Sequence, residues 1–91
     1  MSSRAAQPRV DPPEVHAQLA EIVFMVTATP VDEVRADAAF VDDLRIDSLS
    51  MVEILEGASR HFGVRIEDEA AKDFVHVHDL VDYLNRKLGQ S

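Results

Sequence analysis

Apolar residues recur at helical spacing in three separate stretches of this chain, which commits it to helices packed face to face. The first stripe is Val15, Leu19, Ile22, Val23 and Val26. The second is Met51, Ile54, Leu55, Ala58 and Phe62, and the third is Val77, Leu80, Val81, Leu84 and Leu88. Between the first two lies a run from Pro30 to Asp47 that is neither helical nor alternating.

Local signals set the expected boundaries. Asp11 suits an N-cap, Pro12 the first helical position and Glu14 the carboxylate of a capping box, so a helix should start there and end near Thr29 and Pro30. A second helix is expected from Ser48 to about His61, closed by Gly63 after Phe62. Past an extended link through Val64 and Ile66, Asp68 can cap a brief third helix over Glu69 to Asp73. His76 reads as a polar residue at the start of the fourth helix, where Arg86 and Lys87 favour the dipole at the far end. The expected fold is all-α, a small four-helix bundle of three main helices and a short third one. Residues 1–10 read as a disordered leader and residues 11–91 as one domain.

The connecting run should be a long loop held down by Val31, Val34, Phe40, Val41, Leu44 and Ile46. Loops of that length inside compact domains are uncommon unless functional, and this one leads straight to Ser48. On the second helix Leu49 and Val52 fall outside the apolar arc and should project from the polar face beside that serine. Gly57 in the helix interior is expected to be merely tolerated, at a cost of about 1 kcal/mol relative to alanine.

Bulk properties narrow the function. A chain of 91 residues buries only about 60% of its unfolded surface, which leaves little room for an enclosed active site. The net charge of -8 disfavours nucleic acid and anionic membranes and favours a basic protein partner. Without cysteine there is no disulfide framework, thiolate metal site or cysteine nucleophile. No membrane span is expected, Met1 to Val10 lacks the apolar core of a signal peptide, and the expected compartment is the cytosol. His61, His76 and His78 do not form a persuasive metal set, and the aspartates from Asp37 to Asp47 lack the spacing of a calcium-binding hand.

Ser48 follows Asp47 where a helix begins, so its hydroxyl should be exposed beside free backbone N–H groups and the positive end of the helix dipole. A phosphate ester would be favoured at that spot. Asp and Ser also cap helices routinely, and three letters prove little by themselves.

The wider pattern resembles the acyl carrier protein family, with Asp47-Ser48-Leu49 as its attachment motif, and it extends over roughly Glu14 to Leu88. Besides the motif and the first amphipathic helix, the resemblance is carried by Phe40…Asp43-Leu44, Val52-Glu53, Phe62-Gly63-Val64…Ile66, Asp68-Glu69 and Asp82-Tyr83-Leu84. The wording around the serine looks most like discrete carriers of dissociated fatty-acid systems in actinobacteria. What the resemblance implies is a non-catalytic, monomeric acyl carrier domain. Its Ser48 would receive 4'-phosphopantetheine from coenzyme A through a phosphopantetheinyl transferase, and the arm's thiol would hold acyl groups as thioesters. Asp47 would position the serine, and Leu49, Val52 and Glu53, continued by Glu56 and Arg60, would form the docking face. Partners would be an acyltransferase, a ketosynthase or acyl-activating enzymes with basic docking patches.

Where many fatty-acid carriers continue an acidic helix, Glu56 takes an apolar place, Arg60 follows within pairing distance of it, and Arg45 precedes the motif. That mixed face points to a dedicated polyketide or specialised lipid set rather than housekeeping synthesis. A long acyl chain costs about 0.8 kcal/mol per methylene in water, so shelter is expected among Met51, Leu55, Ala58, Ile66, Leu80 and Leu84. Two other readings stay open: a peptidyl or aminoacyl carrier, although Ile46-Asp47 fits acyl carriers better, and a helical adaptor whose Ser48 is only a cap. A serine hydrolase would need a histidine base near Ser48, and nothing in the sequence puts one there.

Overall fold

The structure, a computed structural model, describes residues 12–89, so the leader of residues 1–10 and the cap expected at Asp11 lie outside the described residues. Helix α1 spans Pro12–Thr27 and presents Val15, Leu19 and Val23 to the core with no exposed surface. It stops two residues before the expected end. Ala28 turns into the left-handed region at φ 64°, the Thr27 hydroxyl donates back to the Val23 carbonyl at 2.9 Å, and Pro30 bars continuation. An L-residue at that φ is strained where glycine is not. Ala28→Gly is therefore expected to raise stability by about 1 kcal/mol in urea unfolding, and an unchanged or lower midpoint would contradict this.

Helix α2 (Ser48–Phe62) begins on Asp47 and ends at Gly63, whose φ of 68° makes the left-handed cap expected of it. Helix α3 is the single turn Asp68–Ala71, and α4 runs Val77–Leu88. The third helix corrects the sequence expectation twice. Its cap is Glu67 rather than Asp68, which is already helical, and it ends at Ala71 because i→i+3 bonds from Asp73 to Ala70 and Phe74 to Ala71 tighten the chain.

Helix α1 packs on both α2 and α4, and the core fills the space between them with Ile54, Ala58, Val77, Leu80 and Leu84, all fully buried. Gly57 has a reason that periodicity did not show: a Cβ there would lie 3.2 Å from the Ile22 Cγ2 of α1, so the glycine permits close approach of the two helices. Tyr83 is buried with its hydroxyl donating to the Arg65 carbonyl at 3.2 Å, which ties α4 to the link between α2 and α3. Among the described residues no buried side-chain polar atom lacks a partner.

The long loop holds one 3₁₀ turn, Val31–Glu33, and then packs through Val34, Phe40 and Ile46, which are all but fully buried, with Leu44 half-buried. Val31 and Val41 are not anchors: they are 46% and 62% exposed. None of the three residues of the 3₁₀ turn is buried, and Val41, which follows buried Phe40 into a hydrogen-bonded turn, is exposed as well. Small side chains take that work instead, since Ala38 and Ala39 are buried. Three backbone bonds stitch this loop to the start of α4: Phe40 N–H to Val75 O at 2.9 Å, Val77 N–H to Ala38 O at 2.9 Å, and His78 N–H to Ala36 O at 3.0 Å. The loop is thus a fixed strap that delivers Ile46 to the core and the next residues to the surface.

Candidate functional site

Burial of Ile46 on one side and the start of α2 on the other force Asp47, Ser48 and Leu49 outward, and all are exposed. The turn before them is closed by Ile46 N–H to Phe40 O at 2.9 Å and passes through Arg45, which sits at a left-handed φ of 56°. Asp47 has an extended backbone, and its Oδ1 accepts the Ser50 N–H at 2.8 Å. That bond, followed by one with the Ser50 hydroxyl, holds the Asp47 carboxyl below its ordinary 3.8. With Ser50 N–H taken by the cap and Met51 N–H by the Asp47 carbonyl at 2.9 Å, the N–H groups of Ser48 and Leu49 remain without a helical acceptor. The Ser48 hydroxyl makes no hydrogen bond among the described residues. This is a nucleophile-bearing position beside a ready anion site.

A carboxylate bound more tightly when ionised stabilises the fold above its unfolded pKa and loses that contribution as pH falls through the lowered folded value. Asp47→Ala is expected to drop the melting temperature by roughly 4–8 °C near neutral pH. The gap to wild type should narrow as pH goes below about 4, whereas Asp47→Asn, which still caps, should show a weaker pH dependence. A gap that widened in acid would reject this account.

Leu49 and Val52, placed by the helical wheel on the polar face, are 70% and 50% exposed. Glu53 is exposed beside them. Glu56 and Arg60 are exposed as well, but the ion pair expected between them is not formed among the described residues. Both instead flank a groove of about 510 Å³ between α2 and α3. Half-buried Leu55, Ser59, Ile66 and Ala71 line it, and the exposed side chains on it are Val52, Glu56, Arg60, Glu67 and Asp68.

The six residues expected to shelter an acyl chain therefore divide. Leu55 and Ile66 line the groove, Met51 is half-buried, and Ala58, Leu80 and Leu84 lie in the sealed core. Sequence reading missed Ser59, Glu67, Asp68 and Ala71 as neighbours of this groove. Ser59 was findable, being one turn beyond Leu55 on the same face, while the others arrive through the fold-back of α3, which no helical period encodes. The histidines are apart: His61 bonds the Gln18 side chain at 2.7 Å, and His76 stacks on His78 with ring centroids 5.3 Å apart. No group of three His, Asp or Glu side chains among the described residues is placed to hold a metal.

Comparison with known proteins fits this geometry. The family described as "Phosphopantetheine attachment site" matches residues 17–84. The acyl carrier protein of Kineococcus radiotolerans is 47% identical over 76 residues, covering 84% of this chain and 94% of that one. That of Thermobifida fusca is 45% identical over 73 residues, covering 80% and 92%. Among solved structures, an acyl carrier protein from Enterococcus faecalis superposes with a TM-score of 0.71 at 29% identity, covering 86% of this chain and 99% of that one. The chain belongs to the acyl carrier protein family. It is a carrier with a phosphopantetheine attachment site, not a catalyst, and it requires a transferase to install the arm and enzymes that load and use its acyl groups. No helix of the described residues is long and apolar enough to cross a membrane.

Proposed function

We propose that Ser48 is the attachment residue and that this chain carries acyl intermediates of fatty-acid, polyketide or specialised lipid synthesis on it. The observation that carries this reading is the exposed Ser48 hydroxyl at the start of a 15-residue helix, beside N–H groups that no helical carbonyl satisfies. Those groups and the helix dipole favour the phosphodiester that would form there. 4'-Phosphopantetheine, once attached, supplies a thiol that holds acyl groups as thioesters. Asp47 acts as the positioning residue: by fixing the first turn it sets where the Ser48 side chain projects.

Leu49, Val52 and Glu53 form the docking face, with Glu56 and Arg60 extending it along α2. Exposed apolar side chains within a rim of carboxylates suit a transient contact with a basic patch, such as that of a transferase, acyltransferase, ketosynthase or acyl-activating enzyme. The groove at Leu55 and Ile66 shelters the start of the acyl chain, and longer chains enter by parting Met51 from Ala58, Leu80 and Leu84. Residues 11–91 act as one monomeric carrier domain in the cytoplasm.

The test is a direct one. Apo protein is incubated with a phosphopantetheinyl transferase, coenzyme A and magnesium, and the modified peptide is sequenced by fragmentation mass spectrometry. The arm is expected on Ser48 alone, and its location on Ser50 or Ser59, or no mass gain at all, would reject the assignment.

A further inference from the structure

The groove between α2 and α3 continues the line of Ser48. At 100° per residue Ser48, Val52, Leu55 and Ser59 share one stripe of α2, and Val52, Leu55 and Ser59 all line the groove. A rise of 1.5 Å per residue puts Ser59 and Arg60 about 16–18 Å along the axis from Ser48. An extended phosphopantetheine arm has about 13 bonds from phosphorus to sulfur, and at roughly 1.2 Å per bond it spans about 16 Å. A thioester carried on Ser48 and laid along this stripe therefore comes level with Ser59 and Arg60.

The chemistry waiting there is uneven. Ser59 has its hydroxyl committed to the Val64 carbonyl at 2.6 Å. Arg60 makes no ion pair or hydrogen bond among the described residues, although Glu56, Glu67 and Asp68 share the groove with it. Its guanidinium offers five N–H donors in a planar fork and accepts nothing. Arg60 is exposed, so beside a saturated acyl chain those donors stay with water and the chain gains no hydrogen bond from them. A carboxylated cargo would supply acceptors but meet three carboxylates. An uncharged chain with closely spaced carbonyl oxygens satisfies both conditions.

We propose that Arg60 reads oxygen on the cargo, binding the two carbonyls of a β-ketoacyl thioester, so that this groove favours such an acyl group over a saturated chain of equal length. The inference rests on the reading that Ser48 bears the arm. It makes Arg60 a specificity-determining residue, and it gives the mixed charge of this face a role in holding cargo.

The experiment loads isotopically labelled protein from acetoacetyl-, butyryl- or malonyl-coenzyme A with a phosphopantetheinyl transferase, with intact mass and peptide mapping as the check on Ser48. NMR then follows the Arg60 side-chain Nε–H and the methyls of Leu55 and Ile66. Acetoacetyl, which matches butyryl in carbon number and adds one carbonyl, is expected to shift the Arg60 Nε–H roughly 5-fold more than butyryl does. Arg60→Ala should reduce the acetoacetyl-induced methyl shifts to the butyryl level. Equal shifts from acetoacetyl and butyryl in wild type, an undiminished acetoacetyl effect in Arg60→Ala, or the largest effect from malonyl would each overturn the proposal while leaving Ser48 as the attachment site. A failure to load at Ser48 would overturn both.

Discussion

Ser48→Ala is expected to abolish loading by a phosphopantetheinyl transferase completely while leaving the fold intact, and Ser50→Ala to load at close to the wild-type rate. The asymmetry follows from which atoms each serine commits to structure. Ser48 is exposed, and its hydroxyl makes no hydrogen bond among the described residues, so the substitution removes the proposed acceptor of the arm and nothing that the fold uses. Surface changes of that kind usually shift stability by less than about 0.5 kcal/mol. Ser50 contributes to the cap mainly through its backbone N–H, which Asp47 holds at 2.8 Å and which alanine retains. Intact mass after incubation with the transferase and coenzyme A separates the two variants, and urea unfolding checks that both are folded. A Ser48→Ala protein that still gained the arm would show that another residue receives it.

Legibility in the sequence tracked periodicity. Helices α1, α2 and α4 were readable because each shows an apolar face several turns long, and Asp47 and Gly63 marked the ends of α2 as their chemistry predicts. The single-turn α3 has no period to read, and its cap falls one residue from the expected place because the Glu67 carbonyl accepts the Ala70 and Ala71 N–H groups at 3.0 and 3.3 Å. In the long loop every apolar residue looks like an anchor, so the pattern assigns Val31 and Val41 a burial that Ala38 and Ala39 hold instead. Alanine gives no hydrophobic signal of its own when nothing repeats around it. Gly57 was opaque for a related reason: its purpose is contact with Ile22, 35 positions earlier, and only the packed pair displays it. Within the site, exposed Ser48 is legible from its place after Asp47 at the helix start and the exposed pair Leu49 and Val52 from the helical wheel, while the groove is not, since nearly half its lining comes from the link and α3.

Phe40→Ala is expected to destabilise the domain by about 3–5 kcal/mol, a large part of the roughly 5–15 kcal/mol that holds a domain together. Phe40 is the largest of the fully buried side chains, and it stands in the loop rather than in a helix. Its backbone is bonded on both sides, N–H to Val75 O and C=O from Ile46 N–H, each at 2.9 Å. One residue therefore joins the start of α4 to the turn that launches α2. Truncation leaves a cavity in the core that cannot fully collapse, because the strap's backbone bonds hold the chain on either side of it in place. The loss should reach function through position: with the strap loosened, Ile46 no longer fixes where Asp47 and Ser48 emerge, and loading by the transferase should slow even where the helices persist. Urea unfolding gives the stability term and the initial loading rate gives the positional one. Phe40→Leu, which keeps much of the volume, should cost less than about 1.5 kcal/mol and load faster than Phe40→Ala, so the pair stays informative if the alanine variant is largely unfolded. A Phe40→Ala protein within about 0.5 kcal/mol of wild type would mean that the loop is not the strap its bonding describes.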